Sequence, residues 1–479
     1  MSETARLSRN TLFSFLTMMF RLLTNVIVFW LIARIYGKAI FGQFTTAHTF
    51  ATVFILFADF GLDVLLATEL PRRIENGYKL FNTLFTIKII FSVIAFLSMN
   101  SLAFFYSFSF EVKILISFFS FYVVFSTFTN YFNALFKGKE KLEYETRISF
   151  IVNSGTLIFT LIFIYFDLGI LWVAGVFVSI RIIGLILATY YSYHLLPEIS
   201  FKFDLSEVKS IKNDIIIFGV FFLFGNLFFQ LDTILLAFWQ GDESVGIYQS
   251  VFKLMMLPIV IPDIFVASLM PTLSRLNVID KDKWKAIGFF FNKLLMIIAV
   301  PITIFIFLYA EQILIFIYNK EEFLQATSLM QIFAFILFIR FFCEAFGLSL
   351  TTSKNQIKRM YIVIFGTFLN FSLNYFLIPR YGPLGAGITS LATNLAVGIL
   401  YVLGGASMMN GWLKNLRLLR FLFITVTVIL LFLCIFYFNL WYLIPLPFFV
   451  YSILVYQFMI STEEKKYFTE LPILKRKGV

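Results

Sequence analysis

From residue 11 to residue 460 the chain is a succession of long apolar runs, each followed by a short polar stretch. A helix rises 1.5 Å per residue, so runs of about 20 apolar residues match a hydrocarbon layer about 30 Å thick. Inside that layer every backbone N–H and C=O must find its partner within the protein, which favours helices over open strands. The pattern predicts fourteen spans, at 11–36, 42–66, 80–107, 112–135, 147–166, 170–192, 213–238, 245–271, 287–310, 325–350, 357–378, 384–405, 417–438 and 442–460. Residues Glu311 to Phe323 contain ILIFIY and read as a short interfacial helix in the ninth-to-tenth connection. The count is most sensitive there, because an odd number of spans would put the termini on opposite sides.

Composition agrees with a polytopic integral membrane protein and excludes a soluble globule. Hydrophobic residues make up 60% and charged residues 14% of 479, and the mean hydropathy is +0.90. Charge placement supports an even count, because cytoplasmic loops collect Lys and Arg. With the N-terminus inside, the cytoplasmic segments take most of the 38 basic residues, from Arg6 and Arg9 through Arg72, Arg73, Lys202, Lys354, Lys414 and Arg417 to the tail Lys465, Lys466, Lys475, Arg476 and Lys477. The outer loops take only Arg34, Lys38, Lys113, Lys320 and Arg380. Both termini are therefore expected in the cytoplasm, and the net charge of +11 reflects topology and anionic lipid, with no patch that argues for nucleic acid. Cys343 and Cys434 sit in apolar helices, and His48 and His194 are too few and scattered for a metal cluster, so no cofactor is expected. The first helix lacks a signal-peptide cleavage pattern and is expected to be retained.

The chain also repeats. YGKAIFGQF (Tyr36 to Phe44) and QGDESVGIY (Gln240 to Tyr248) stand at an offset of 204 residues, which places Gly37 and Gly42 on Gly241 and Gly246. Pro71 and Pro271 follow as the ends of matching spans, and SGTLIFTLIFIYFDLGILWVAG pairs with FGTFLNFSLNYFLIPRYGPLGAG once gaps are allowed. Two six-helix lobes of parallel orientation follow from this: 1–212 with its cytoplasmic linker, and 213–410. Residues 411–479 supply two further helices and a cytoplasmic tail. Such lobes suit alternating access around a site between them.

Four stretches carry a family resemblance: RNTLFSFLTMMFRLLTNVIVFWLIARIYGKAIFGQFTTAHTF, ADFGLDVLLATELPRR, FFQLDTILLAFWQGDESVGIYQSVFKL and PRYGPLGAGITSLATN. In order and spacing they resemble bacterial polysaccharide flippases, the O-antigen and capsule repeat-unit exporters of the MOP superfamily, with a MATE-like fold. The resemblance implies an inner-membrane transporter that moves an undecaprenyl-diphosphate-linked oligosaccharide to the outer leaflet. It implies a monomer among membrane lipids, with polysaccharide polymerase and assembly proteins as candidate partners.

Six basic residues lie inside spans: Arg21, Lys88, Arg181, Lys253, Lys293 and Arg340. Charge in hydrocarbon is costly, so each should pair, reach an interface or face water. Thr17, Arg21 and Asn25 recur every four residues and form one polar stripe. Lys88 and Lys293 can snorkel to the headgroups. Arg340 and Glu344, one turn apart, read as an ion pair. Arg21, Arg181 and Lys253 are the expected contacts for an anionic cargo, with Lys88 a weaker one, because guanidinium and ammonium groups suit phosphate oxygens. Asn25, on the stripe with Arg21, is expected to face the wet cavity; Thr367, Asn370 and Asn374 line one face of the eleventh span and are candidates for sugar hydroxyls, although asparagines also join helices. Asp59 and Asp63 are candidates for proton or sodium coupling; the alternative for Asp63 is a solvated interfacial carboxylate. Rival functions are a lipid II flippase, a multidrug or metabolite antiporter, and a membrane polymerase or ligase. The last lacks a sizeable outer loop or a nucleophile and base set here.

Overall fold

A computed structural model of the chain describes residues 3–72, 77–195, 205–353, 355–405 and 418–461. Arg73, Lys202, Lys354, Lys414, Arg417 and the basic tail lie outside the described residues. Among the described residues fifteen α-helices follow one another: α1 Glu3–Asp59, α2 Leu62–Glu69, α3 Gly77–Phe105, α4 Phe110–Gly138, α5 Leu142–Tyr165, α6 Ile170–Tyr193, α7 Leu205–Leu227, α8 Leu231–Trp239, α9 Asp242–Ile279, α10 Lys281–Leu308, α11 Ala310–Tyr318, α12 Thr327–Thr352, α13 Gln356–Gly404, α14 Leu418–Tyr437 and α15 Pro445–Phe458. No strand occurs among the described residues.

Among them, eleven helices are long and apolar enough to cross a membrane, or twelve if α7 and α8, bent by 61°, count as one broken span. Two of these helices are far longer than one crossing needs. The 57 residues of α1 would extend about 85 Å, and α1 is interrupted at Gly37, whose φ of 84° and ψ of 177° are not helical. The 49 residues of α13 are interrupted at Gly382 (φ 54°, ψ −131°), between Pro379 and Pro383. Proline removes a backbone donor and crowds the preceding turn, which explains a break at that place. Pro301, by contrast, is carried within α10. The break between α7 and α8 at 228–230 interrupts what the apolar pattern presents as one span, 213–238. Residue 271 ends an apolar run, yet α9 continues to Ile279.

The chain forms two compact units, Met1–Gln249 and Ser250–Val479. The first is built on α1 to α8 with the opening turns of α9. Its core includes Leu62, Leu65 and Leu66 of α2, Phe81 and Leu84 of α3, Tyr131 and Leu135 of α4, and Val152 of α5. In the second unit α14 and α15 cover one face of α10, where Met296 and Val300 meet Ile424, Val428, Phe432 and Val455. Large apolar side chains also lie on the outside, among them Phe105, Trp172 and Phe423. On a soluble protein such a surface would be an aggregation site; on a membrane protein it is the lipid-facing belt.

Candidate functional site

The tightest charge cluster sits where α1 ends. Phe60 (φ 42°) and Gly61 (φ 74°) both take left-handed conformations, turning the chain out of α1 and into α2. Gly61 is required twice over: a Cβ there would also lie 2.6 Å from the backbone carbonyl of Phe218 on α7. The turn brings Asp59 back over the start of α2, where its carboxylate accepts the Asp63 N–H at 3.1 Å. An anion is favoured there by the unpaired amides of a helix N-terminus.

Lys88 of α3 enters from the side. Its Nζ donates to Asp59 Oδ1 at 2.7 Å and also to the Asp63 carboxylate. Lys88 is fully buried, and the Asp63 side chain keeps only 17% of its exposure. The ammonium lies 5.2 Å from the ring centre of Tyr131, whose hydroxyl donates to the Phe81 carbonyl at 2.6 Å and so fixes the ring. These contacts correct two expectations. Lys88 does not snorkel, because two carboxylates lie nearer than any headgroup, and Asp63 is not simply solvated, because the same ammonium holds it.

Arg181 of α6 is half-buried and donates from Nη2 to the Tyr122 hydroxyl at 3.0 Å, with its guanidinium 5.0 Å from the centre of that ring. Tyr122 belongs to an aromatic group on α1, α4 and α6 with His48, Phe119 and Phe177. Arg21 is exposed and Asn25 half-buried on α1; the stripe they form begins at Thr17, which donates to Thr146 Oγ1 of α5 at 2.9 Å. Among the described residues neither Arg21 nor Arg181 has a carboxylate partner.

In the second unit Lys253 is half-buried on α9. Asn370 and Asn374 of α13 are buried, and Asn374 Nδ2 donates to Asn370 Oδ1 at 2.9 Å along the same helix. Glu344 of α12 receives Arg359 of α13 at 3.5 Å. Arg359 also donates to Thr351 Oγ1 at 2.8 Å and lies 5.9 Å from the Tyr401 ring centre. Asp263 and Arg340 fall within electrostatic reach of Glu344, completing a four-membered group. Lys293 is buried and donates to the Met459 carbonyl at 2.5 Å, at the C-terminal end of α15. Snorkelling is again replaced by an internal acceptor, here the negative end of a helix dipole.

Residue pattern alone did not single out Tyr122, Tyr131 or Arg359. The two tyrosines look like ordinary apolar-helix aromatics, and Arg359 looks like a loop charge. Among the described residues no group of three or more His, Cys, Asp or Glu is placed to hold a metal.

The sequence model for polysaccharide biosynthesis proteins matches residues 7–277, and the MatE model matches residues 217–376. An uncharacterized membrane protein of Methanocaldococcus jannaschii is 24% identical over 385 residues, covering 73% of this chain and 74% of its own. Among solved structures, the lipid II flippase MurJ in an inward closed conformation aligns with a TM-score of 0.72 at 15% identity, covering 93% of this chain and 98% of that one. An inward-facing multidrug resistance MATE family transporter of the MOP superfamily aligns with a TM-score of 0.65 at 17% identity, covering 82% and 96%. At these identities the alignments establish the fold. With the first model spanning more than half of its length, the chain belongs to the polysaccharide biosynthesis protein family, on the membrane fold shared by MOP-superfamily transporters.

Proposed function

We propose that this protein is a flippase that moves undecaprenyl-diphosphate-linked oligosaccharide repeat units, of O-antigen or capsule type, from the cytoplasmic to the outer leaflet by alternating access. One observation carries the reading beyond the family: Arg21 and Arg181 hold charge within apolar spans without a carboxylate partner among the described residues. A guanidinium at the centre of a span costs at least about 2.5 kcal/mol against hydrocarbon. A water-filled passage for an anionic cargo removes that cost and gives the fork of each guanidinium a diphosphate or acidic sugar to bind. In the second unit Lys253 is assigned to anionic cargo as well, and in the first Asn25, one turn from Arg21, is assigned to cargo with it. Asn370 and Asn374 of α13 are kept as candidates for sugar hydroxyls.

Lys88 is moved from cargo binding to coupling. With Asp59 and Asp63 it forms a group of two carboxylates and one ammonium, a composition suited to exchanging a proton or sodium ion. We read α1, interrupted at Gly37, and α13, interrupted at Gly382, each as a pair of spans and α7 with α8 as one broken span, a reading with fourteen crossings in which both termini share one side, taken as the cytoplasm of a bacterial inner membrane. We take the protein to act as a monomer that hands its product to a polysaccharide polymerase and assembly proteins.

Charge reversal tests the cargo site. Arg21→Glu and Arg181→Glu variants that reach the membrane at normal levels should fail to restore surface polysaccharide in a deletion strain; full restoration would remove both residues from the site. The fold shared with the lipid II flippase favours a second reading, lipid II as cargo. Rescue of a strain depleted of its own lipid II flippase would select that reading.

A further inference from the structure

Helix α4 carries a further set of polar residues between the two charged sites of the first unit. Lys88 with Tyr131 stands at one end, and Arg181 with Tyr122 at the other. The two tyrosines are nine residues apart on α4, about 13 Å at the helix rise. Ser126 lies one turn after Tyr122 and Thr127 one turn before Tyr131, so each shares a face with its tyrosine. On α3, Ser92 follows Lys88 by one turn on the same face. Ring contacts of Phe85 with Phe128 at 5.7 Å and of Phe96 with Phe121 at 5.1 Å set the register of α3 on α4. They bring the stretch with Lys88 and Ser92 alongside Ser126 and Thr127.

These three hydroxyls differ from their neighbours. Thr86 of α3 and Thr129 of α4 donate to the carbonyl four residues back, at 2.9 and 2.8 Å. Ser92, Ser126 and Thr127 are 2% exposed or less, and their hydroxyl oxygens have no hydrogen-bond partner among the described residues. A buried hydroxyl left alone is costly, and buried polar groups meet either protein or bound water. The spacing suits water. One turn of α4, about 6 Å, separates each tyrosine from its hydroxyl neighbour, and one water spans that with two hydrogen bonds of about 2.8 Å. Ser126 and Thr127 are consecutive and so lie on different sides of α4, which lets a file pass from the α3 side to the α6 side between them. Ser126 shares the α6 side with Thr129, whose Oγ1 is 4.0 Å from a Cβ built at Gly184.

We propose that Ser92, Ser126 and Thr127 hold bound water that joins the Lys88 group to the Tyr122 and Arg181 pair. The groups that face this water are Asp59, Asp63, Lys88 and Tyr131 on one side and His48, Tyr122 and Arg181 on the other. An ion exchanged at the carboxylates reorients the file, and the guanidinium that meets cargo receives the change as a polarised hydrogen bond. Ser126 and Thr127 are positioning residues, acting through the tyrosines beside them. Their part in coupling rests on the transport reading above.

Radiolytic labelling of the full chain in lipid nanodiscs tests the site. A brief X-ray pulse turns water into hydroxyl radicals, so a buried ring is oxidised only where water is bound beside it. Tyr131, fully buried, is expected to be oxidised at least several-fold faster than Tyr318 of the second unit, which is 1% exposed and donates to the Ser250 carbonyl at 2.8 Å. Ser126→Ala with Thr127→Val should bring Tyr131 down to the Tyr318 rate. It should also lower the melting temperature, because losing a water bond destabilises whereas removing a dry hydroxyl stabilises. A parent Tyr131 oxidised no faster than Tyr318 would overturn the proposal, as would a double variant that labels like the parent or melts higher. If the double variant does not reach the membrane, Thr127→Val alone and Ser92→Ala alone are read in the same way. In liposomes the double variant should lose most of the gain in transport that an imposed proton or sodium gradient gives the parent. A gain kept in full, or absent from the parent, would overturn the coupling. A parent that moves no lipid-linked oligosaccharide would end the cargo reading, and the labelling would still decide the water site.

Discussion

Each unit of the molecule holds a cluster of charge, enclosed in the first and partly exposed in the second, and the two are balanced differently. In the first, Lys88 holds Asp59 and Asp63, two carboxylates to one cation, with the lysine wholly enclosed. In the second, Asp263 and Glu344 stand with Arg340 and Arg359, two against two, and the paired side chains of Glu344 and Arg359 keep 21% and 28% of their exposure. The clusters share a register. Asp59 and Asp263 differ by 204 residues, the offset that also relates the glycine loops, and Lys88 and Lys293 differ by 205. Lys88 meets its aspartate, whereas Lys293 is used on the end of α15 and Asp263 turns to arginines. A buried charge group one cation short of balance can accept a proton or small cation when both carboxylates are ionised; a balanced one has no such need. The same two positions therefore sit in an unbalanced charge group in one unit and are held by other partners in the other.

Four substitutions would break or sharpen this contrast. Lys88→Met strands two buried carboxylates and is expected to remove about 3–5 kcal/mol of stability, read as loss of protein from the membrane. Adding Asp59→Asn and Asp63→Asn should recover most of it, and a failure to recover would mean that Lys88 matters for packing and not for charge. Lys293→Met loses a charged hydrogen bond to a helix end, about 1.5–2 kcal/mol, and should show as a lowered melting temperature with α14 and α15 more open to protease. Arg359→Gln should cost about 1 kcal/mol in the same melting assay, because the pair is partly solvated and Arg340 still lies near Glu344. Asp63→Asn leaves Asp59 and Lys88 as a matched pair and should change stability by less than about 1 kcal/mol. Its transport should lose the dependence on an imposed ion gradient; a variant that stays gradient-dependent would return the first cluster to a bracing role.

Much of the architecture is legible in the sequence because span length and apolar content are physical requirements of the bilayer. The glycine breaks at Gly37 and Gly382 fall in the loops that the pattern leaves between spans. The bend between α7 and α8 was not legible, since Phe228, Phe229 and Gln230 carry neither proline nor glycine. Pairing was the harder part. Arg340 and Glu344 are one turn apart on a single helix and within electrostatic reach of each other, and Arg359, from the next helix, adds an ion pair to Glu344 at 3.5 Å. Lys88 lies 25 residues from Asp63 and joins it only because the turn at Phe60 and Gly61 swings α2 beside α3. A helical period reports which residues share a face; it carries nothing about which neighbouring helix that face meets.

Movement of an anionic lipid-linked oligosaccharide across the bilayer can be followed in reconstituted liposomes. Purified protein is placed in liposomes carrying a labelled undecaprenyl-diphosphate oligosaccharide, and the fraction open to an impermeant glycosidase outside is followed in time. This fraction should rise beyond the initially exposed leaflet with the intact protein and stay flat with Arg21→Glu. A fraction that stays flat with folded, intact protein across imposed proton and sodium gradients would contradict such movement.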